Sequence, residues 1–277
     1  MFNQRSPFVA VGGIGGSGTR LVCELLKHLG INMGQVLNPS NDNILFTYLF
    51  KNKKILDASD DEFAYHYQLF NYVSQGLTLS IEDLNYLKNI VKSYRLLPSL
   101  WAEKLLYQIN NPTFSSLEWG WKEPNTHIVI DKIIKLEPKL KFIYVKRSAL
   151  DMALSKNQNQ LKLWGEYFLQ RRVEVTPRDS LAYWCHTQKR MNELAKKMQS
   201  QFYLLDYDFF CQNPVQGISQ LSDFLGFNQQ RINTIKLVSM IKPADTYGRG
   251  KQLDLSLIDK YDLNFLKETG EIARAYC

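Results

Sequence analysis

The chain is 277 residues long, 45% hydrophobic and 22% charged, which is enough to bury a large core and too apolar for a disordered polymer. Lys plus Arg outnumber Asp plus Glu by 34 to 27, a net charge of +7 that favours anionic ligands; no long basic block or recognised nucleic-acid-binding motif accompanies it, so nucleic acid is not the expected partner. Four scattered cysteines (Cys23, Cys185, Cys211, Cys277) lack metal or disulfide spacing, the N-terminus lacks a signal peptide's apolar stretch, and no segment approaches the roughly 18 apolar residues of a membrane span, so a reducing, cytoplasmic setting is expected.

The first element is an apolar strand from Val9 that runs through Gly12-Gly13-Ile14-Gly15-Gly16-Ser17-Gly18 into a helix beginning near Thr19. Glycines let a turn bring successive N–H groups to one anion, and the following helix presents its positive end at the same point. The spacing Gly13-x4-Gly18 matches the first half of the nucleotide-triphosphate loop, but Thr19 and Arg20 stand where that motif has Lys and then Ser or Thr. The phosphate cradle is kept and its lysine is not.

Leu21, Val22, Leu25, Leu26 and Leu29 recur at helical spacing, and Gly30 closes the helix. Residues from about 38 to 115 predict an inserted, mainly helical segment whose aromatics, Phe63, Tyr65, Tyr67, Phe70 and Tyr72 among them, are read as packing between helices, with the lining of an acceptor site as the other role. Ser116–Lys122 reads as a strand ending before Pro124, followed by a helix over Thr126–Leu136, a strand over Lys141–Lys146 and a helix starting near Asp151. Residues 157–177, with Trp164, Tyr167, Phe168, Arg171 and Arg172, read as a long loop on the acceptor side. A helical face runs from Leu181 to Met198, a last strand covers Gln201–Asp206, and helices follow over Pro214–Leu225 and from Gln229 to Met240. Strands separated by helices predict one α/β domain: a three-layer fold of the P-loop type, with a central parallel sheet covered on both faces and ligands bound at the strands' carboxyl ends.

Together these residues resemble the sulfotransferases that use 3′-phosphoadenosine-5′-phosphosulfate (PAPS), in particular a bacterial branch with a glycine-rich loop, and the likeness covers most of the chain. The resemblance implies that Gly13, Ile14, Gly15, Gly16, Ser17, Gly18, Thr19 and Arg20 cradle the 5′-phosphosulfate, and that Arg147 with Ser155 eight residues later binds the 3′-phosphate. Trp121-Lys122-Glu123-Pro124 is similar to the segment whose lysine reaches the sulfuryl group. Asp206-Tyr207-Asp208-Phe209-Phe210, with Pro214 and Phe224-Leu225-Gly226, is similar to a further family stretch, which adds Tyr207 to the cofactor site. Tyr247-Gly248-Arg249-Gly250-Lys251 looks like the late basic loop that closes over the cofactor's adenosine end, with Arg249, Gly250 and Lys251 in contact. Many members carry Lys or Arg where this chain has Gly16, so Lys122 takes more of the cationic role, and Arg20 replaces the missing charge if its side chain turns back to the loop.

The chemistry calls for these residue types. Charge builds on the oxygen that leaves with the 5′-phosphate, fixed donors must meet it, and a lysine supplies a point charge there without any metal. A general base must take the acceptor's proton, for which Asp42 and His127 are the candidates; Asp42 is also read as an Asx turn or helix cap, His127 as a structural residue, and Glu123 as the ion-pair partner that orients Lys122. The expected reaction is sulfuryl transfer from PAPS, with adenosine 3′,5′-bisphosphate (PAP) as product, to a hydroxyl (or amine) of a carbohydrate or glycan. Two other readings stand beside it: a P-loop kinase or NTPase, in which Asp206 at the end of an apolar strand holds magnesium, and a non-catalytic nucleotide-binding protein.

Overall fold

The computed structural model describes residues 6–94, 97–113, 118–228, 230 and 232–276, except for the side chains of 274–276. Residues 116 and 117 of the expected second strand, Gln229 at the expected start of the last helix, Cys277 and the first five residues lie outside this set.

Four strands, β1 (Val9–Gly13), β2 (Gly120–Lys122), β3 (Lys141–Lys146) and β4 (Phe202–Asp206), form one parallel sheet in the order β2-β1-β3-β4. The α/β class expected from strands alternating with helices is what the structure shows. β1 is buried at all five residues, the mark of a strand covered on both faces. Helix α1 (Thr19–His28) follows β1 and ends at Gly30, whose φ of 88° continues the chain where other residues would strain.

The chain divides into two compact units, Met1–Gly12 with Val22–Phe142, and Gly13–Leu21 with Ile143–Cys277. The first holds five helices, α2 (Ile44–Phe50), α3 (Lys54–Asp57), α4 (Asp60–Gln75), α5 (Ile81–Ser93) and α6 (Ser99–Asn110), before β2 and α7 (Thr126–Leu136). Caps explain several of their starts: Asn43, Ser59 and Ser80 each accept a backbone N–H from the first turn that follows. Their aromatics build the core. Phe46 stacks on Trp121 at 5.9 Å, Phe70 meets Trp121 edge-on at 5.1 Å, and Phe50 lies 5.4 Å from Phe63. Each such side chain contributes about 1.5–3 kcal/mol by burial, which fixes these rings as packing groups.

In the second unit α8 (Ala149–Ala153) follows β3, and α9 (Asn159–Leu169) and α10 (Pro177–Met198) precede β4. Helices α11 (Tyr207–Gln212), α12 (Pro214–Leu225), α13 (Thr234–Met240), α14 (Lys260–Glu268) and α15 (Glu271–Tyr276) complete it. The expected loop over 157–177 is thus mostly helix. Gln160, Leu161, Trp164 and Gly165 form its buried face, a helical period that the polar residues around it obscure, and Gln170 ends it at φ 52°. Trp164 is fully buried, and Arg171 is ion-paired with Asp179 at 2.8 Å. Among the described residues no helix is long and apolar enough to cross a membrane, and Cys23, Cys185 and Cys211 are free and buried.

Candidate functional site

Two clusters, one in each unit, hold the residues singled out by the sequence. The first starts where β1 ends. The turn closes with the Ser17 amide donating to the Ile14 carbonyl at 3.0 Å, and Gln160 Nε2 fixes the Gly13 carbonyl at 3.1 Å. Gly18 sits at φ 102°, and a Cβ there would lie 2.1 Å from the Tyr207 ring, so both conformation and space demand glycine. Gly16 has φ 98°, and its missing Cβ would lie 3.3 Å from Ser155 Oγ. That backbone, which side chains rarely adopt, accounts for a glycine at this position. The Asn157 amide nitrogen lies 3.0 Å from where a Cβ of Gly15 would stand, and Ile14, Ser17 and Thr19 are buried. Among the described residues, Ser17 Oγ has no hydrogen-bond partner. A buried hydroxyl costs about 1–3 kcal/mol unless something bonds it, so this one suits a ligand oxygen. The first turn of α1 carries no acidic residue, so the helix's positive end is not neutralised by its own side chains; Arg20 in that turn is exposed.

Arg147, directly after β3, is 4% exposed. Its Nη1 donates to the Gly16 carbonyl at 3.3 Å and its Nη2 to Thr246 Oγ1 at 3.0 Å. Asp151 and Asp208 stand 3.6 and 3.9 Å from the guanidinium, whose plane lies over the Tyr207 ring at 5.4 Å. Two carboxylates in the interior stabilise the cation, and hydrogen bonds hold each carboxylate in turn. Asp208 accepts the Ser148 amide at 2.8 Å, and Asp151 accepts the Gly248 and Gly250 amides at 2.9 and 2.7 Å. The late loop is thereby fastened to α8: Arg249 Nε bonds the Asp151 carbonyl, and a Cβ on Gly250 would lie 2.5 Å from Leu150 Cβ. Burial and the neighbouring Arg147 hold the Arg249 guanidinium below its ordinary pKa, two cations kept near one another. Lys251 is exposed, and Ser155 is half-buried with its Oγ accepting the Asn157 amide at 3.2 Å. Tyr207 supports the loop from beneath, its hydroxyl donating to the Lys242 carbonyl at 3.4 Å. Asp206 caps α11 through the Phe209 amide and lies 3.4 Å from Lys146.

The second cluster is in the other unit. Lys122 ends β2, paired with Val11 two residues before Gly13, and is 2% exposed. Its ammonium donates to the Ser40 carbonyl at 2.9 Å and forms an ion pair with Asp42. Asp42 is held by Asn38, whose Nδ2 donates to its carboxylate at 2.9 Å while Asn38 Oδ1 accepts the Ser40 and Asp42 amides. The expected pairing of Lys122 with Glu123 is not the one observed. Neighbouring residues of an extended chain point to opposite faces, so Glu123 turns away to Lys51, at 3.5 Å, and to Asn125. Burial raises the Glu123 carboxyl above its ordinary pKa, with Lys51 opposing. His127 is fully buried in the first turn of α7.

Asp151, Asp208 and Thr246 are the partners that sequence reasoning missed. Asp151 had a usable signal, an acid one helical turn after Arg147; Thr246 had none. Among the described residues no group of three or more His, Cys, Asp or Glu is placed to hold a metal ion.

A family model described as "Sulfotransferase family" matches residues 7–231. The chain belongs to that family. Among solved structures, the sulfotransferase domain of the Synechococcus PCC 7002 olefin synthase is 15% identical, with a TM-score of 0.51 over 97% of this chain and 98% of that one. That likeness shows the sulfotransferase fold. The sulfotransferase STF9 from Mycobacterium avium (12% identity, TM-score 0.47, 98% of this chain and 77% of that one) and a sulfotransferase from Alicyclobacillus acidocaldarius (14%, 0.46, 98% and 94%) are also similar. No curated protein sequence matches.

Proposed function

We propose that this sulfotransferase moves a sulfuryl group from PAPS to a hydroxyl, with a carbohydrate or glycan as acceptor and PAP as product. The observation that carries the reading is Arg147, a buried guanidinium that joins the Gly16 carbonyl of the glycine loop to Thr246 of the late segment. A loop built for ATP has a lysine at its end and needs no such arginine; a donor with phosphates at both 5′ and 3′ positions does. The unpartnered Ser17 hydroxyl in the same cluster fits an anion held by the turn.

When bound, this donor supplies an activated sulfur whose leaving group is already a phosphate. The amides of Gly15 to Thr19 and the hydroxyls of Ser17 and Thr19 hold the 5′ end, and Arg147, Ser155, Arg249, Gly250 and Lys251 hold the 3′ end. Tyr207 acts through Gly18 and Arg147 as a positioning residue. As the acceptor oxygen bonds to sulfur and the bond from sulfur to the phosphate oxygen breaks, Lys122 meets the charge on the oxygen that leaves. Asp42, partly exposed where His127 is fully buried, keeps Lys122 in place and takes the acceptor's proton.

The 3′-phosphate assignment is tested by titrating PAP and 5′-AMP into wild type, Ser155→Ala and Arg147→Lys. The lysine keeps a charge between Asp151 and Asp208 but loses the fork. PAP should weaken about 10–100-fold in Arg147→Lys with AMP unchanged, the size of one or two charge-assisted bonds. Equal affinities for PAP and AMP in wild type, or equal losses for both, would show that Arg147 does not read the 3′-phosphate.

A further inference from the structure

The Arg147 side chain is held in front by Gly16 and Thr246, and the backbone around it is held from behind by groups that arrive from far along the chain. Trp184 Nε1 donates to the Arg147 carbonyl at 3.2 Å, and the Ser148 amide donates to Asp208 at 2.8 Å. The third anchor is Glu271, the first residue of α15. Its Oε1 accepts the Lys146 ammonium at 2.6 Å and its Oε2 the Ala149 amide at 3.1 Å, across 125 and 122 residues of sequence. These two contacts straddle Arg147.

Each has a physical reason. Successive residues of an extended chain face opposite ways, so as Arg147 turns to Gly16 the Lys146 side chain is delivered to the other side. There Lys146 also meets Asp206, at the end of the neighbouring strand, at 3.4 Å. Ala149 opens α8, and its amide is one of the donors that a helix's first turn leaves without a partner inside the helix. Helix α15 packs on α8 and on the late loop at Arg249–Gln252, so Glu271 reaches this point from an element that also backs the other end of the cluster.

Glu271 is 1% exposed. A carboxylate in the interior is costly unless it is paired and hydrogen-bonded, and a buried pair adds little net stability over apolar packing of the same volume. What two directed contacts on one carboxylate do fix is geometry. A guanidinium fork that must meet two oxygens of one phosphate tolerates little displacement, and its aim is set by the backbone on either side of it.

We propose that Glu271 is a positioning residue for the donor's 3′-phosphate: by locking Lys146 and Ala149 it aims the Arg147 fork. The role rests on the 3′-phosphate reading of Arg147. It is tested by titrating PAP and 5′-AMP into the full-length wild type, Glu271→Gln, Arg147→Lys and the double variant, with a thermal melt of each. Glutamine keeps the volume and one acceptor oxygen but loses the charge that pairs with Lys146. In Glu271→Gln, PAP should weaken about tenfold, the size of one charge-assisted hydrogen bond, while AMP stays within about twofold. In the Arg147→Lys background the same substitution should cost PAP less than about twofold, because its effect passes through the guanidinium. If Glu271→Gln melts below the titration temperature, Glu271→Asp, whose shorter stem keeps the charge but cannot span both partners, is read in the same way. PAP and AMP weakening together, a PAP preference equal to that of wild type, or losses that add in the double variant would overturn the proposal and leave Glu271 a structural residue. Equal affinities for PAP and AMP in wild type would instead overturn the 3′-phosphate reading, and the role of Glu271 would fall with it.

Discussion

Lys122→Met is expected to lower turnover about 10²–10³-fold while PAP affinity stays within about twofold, if the lysine acts, as proposed, on charge that develops only as the donor's bond breaks. The side chain is 2% exposed and enters the interior as an ammonium only because the Ser40 carbonyl and Asp42 receive it. Removing it leaves Asp42 without its counter-ion, but Asn38 still donates to that carboxylate and water reaches it. The structural cost is then about 1–3 kcal/mol, visible in a thermal melt and separable from the kinetic loss. Methionine preserves the volume that alanine would leave empty. Donor turnover and PAP titration on the same preparation check the split. Unchanged turnover, or a loss of PAP binding as large as the loss of rate, would remove Lys122 from the chemistry.

Gly18→Ala destabilises the second unit by about 2–6 kcal/mol, the sum of a left-handed backbone strain and an overpacked contact. The new methyl would meet the Tyr207 ring at 2.1 Å, a distance no rotamer of alanine can change. Against a total stability of about 5–15 kcal/mol the variant is at or near the edge of folding. The double variant Gly18→Ala/Tyr207→Ala separates the two causes. It should recover the overpacking part, leave the strain of φ 102°, and lose the ring that lies against Arg147. A melting temperature for Gly18→Ala equal to wild type would mean that the loop does not rest on Tyr207 in this way.

The parts legible in the sequence were those governed by local rules. The glycine turn, the α7 span and β3 followed from turn chemistry, the proline at 124 and unbroken apolar runs, and all three stand where they were expected. Residues 157–177 misled because their polar composition hid a helix whose buried face is narrow, Leu161 and Trp164 with Gly165 between helices. In the two candidate clusters the positions of the cations were legible and the partners of the anions were not. Arg147 and Lys122 could be placed at strand ends from spacing alone, whereas Asp42's pairing with Lys122 depends on the 38–42 turn folding back through Asn38, a contact made over 80 residues of sequence. The same holds for Asp151, whose two glycine partners arrive from about a hundred residues further along the chain. Glu123 is the exception among the anions: adjacent residues of a strand face opposite ways, and that alone rules it out as the partner of Lys122.

The most direct measurement is calorimetric titration of the purified chain with PAP and with ATP, each with EDTA and with excess magnesium. PAP is predicted to bind with one site in EDTA, in the micromolar range, unchanged by magnesium, and ATP to bind far more weakly in both. Tight ATP binding that requires magnesium, with PAP weaker than ATP, would contradict the account.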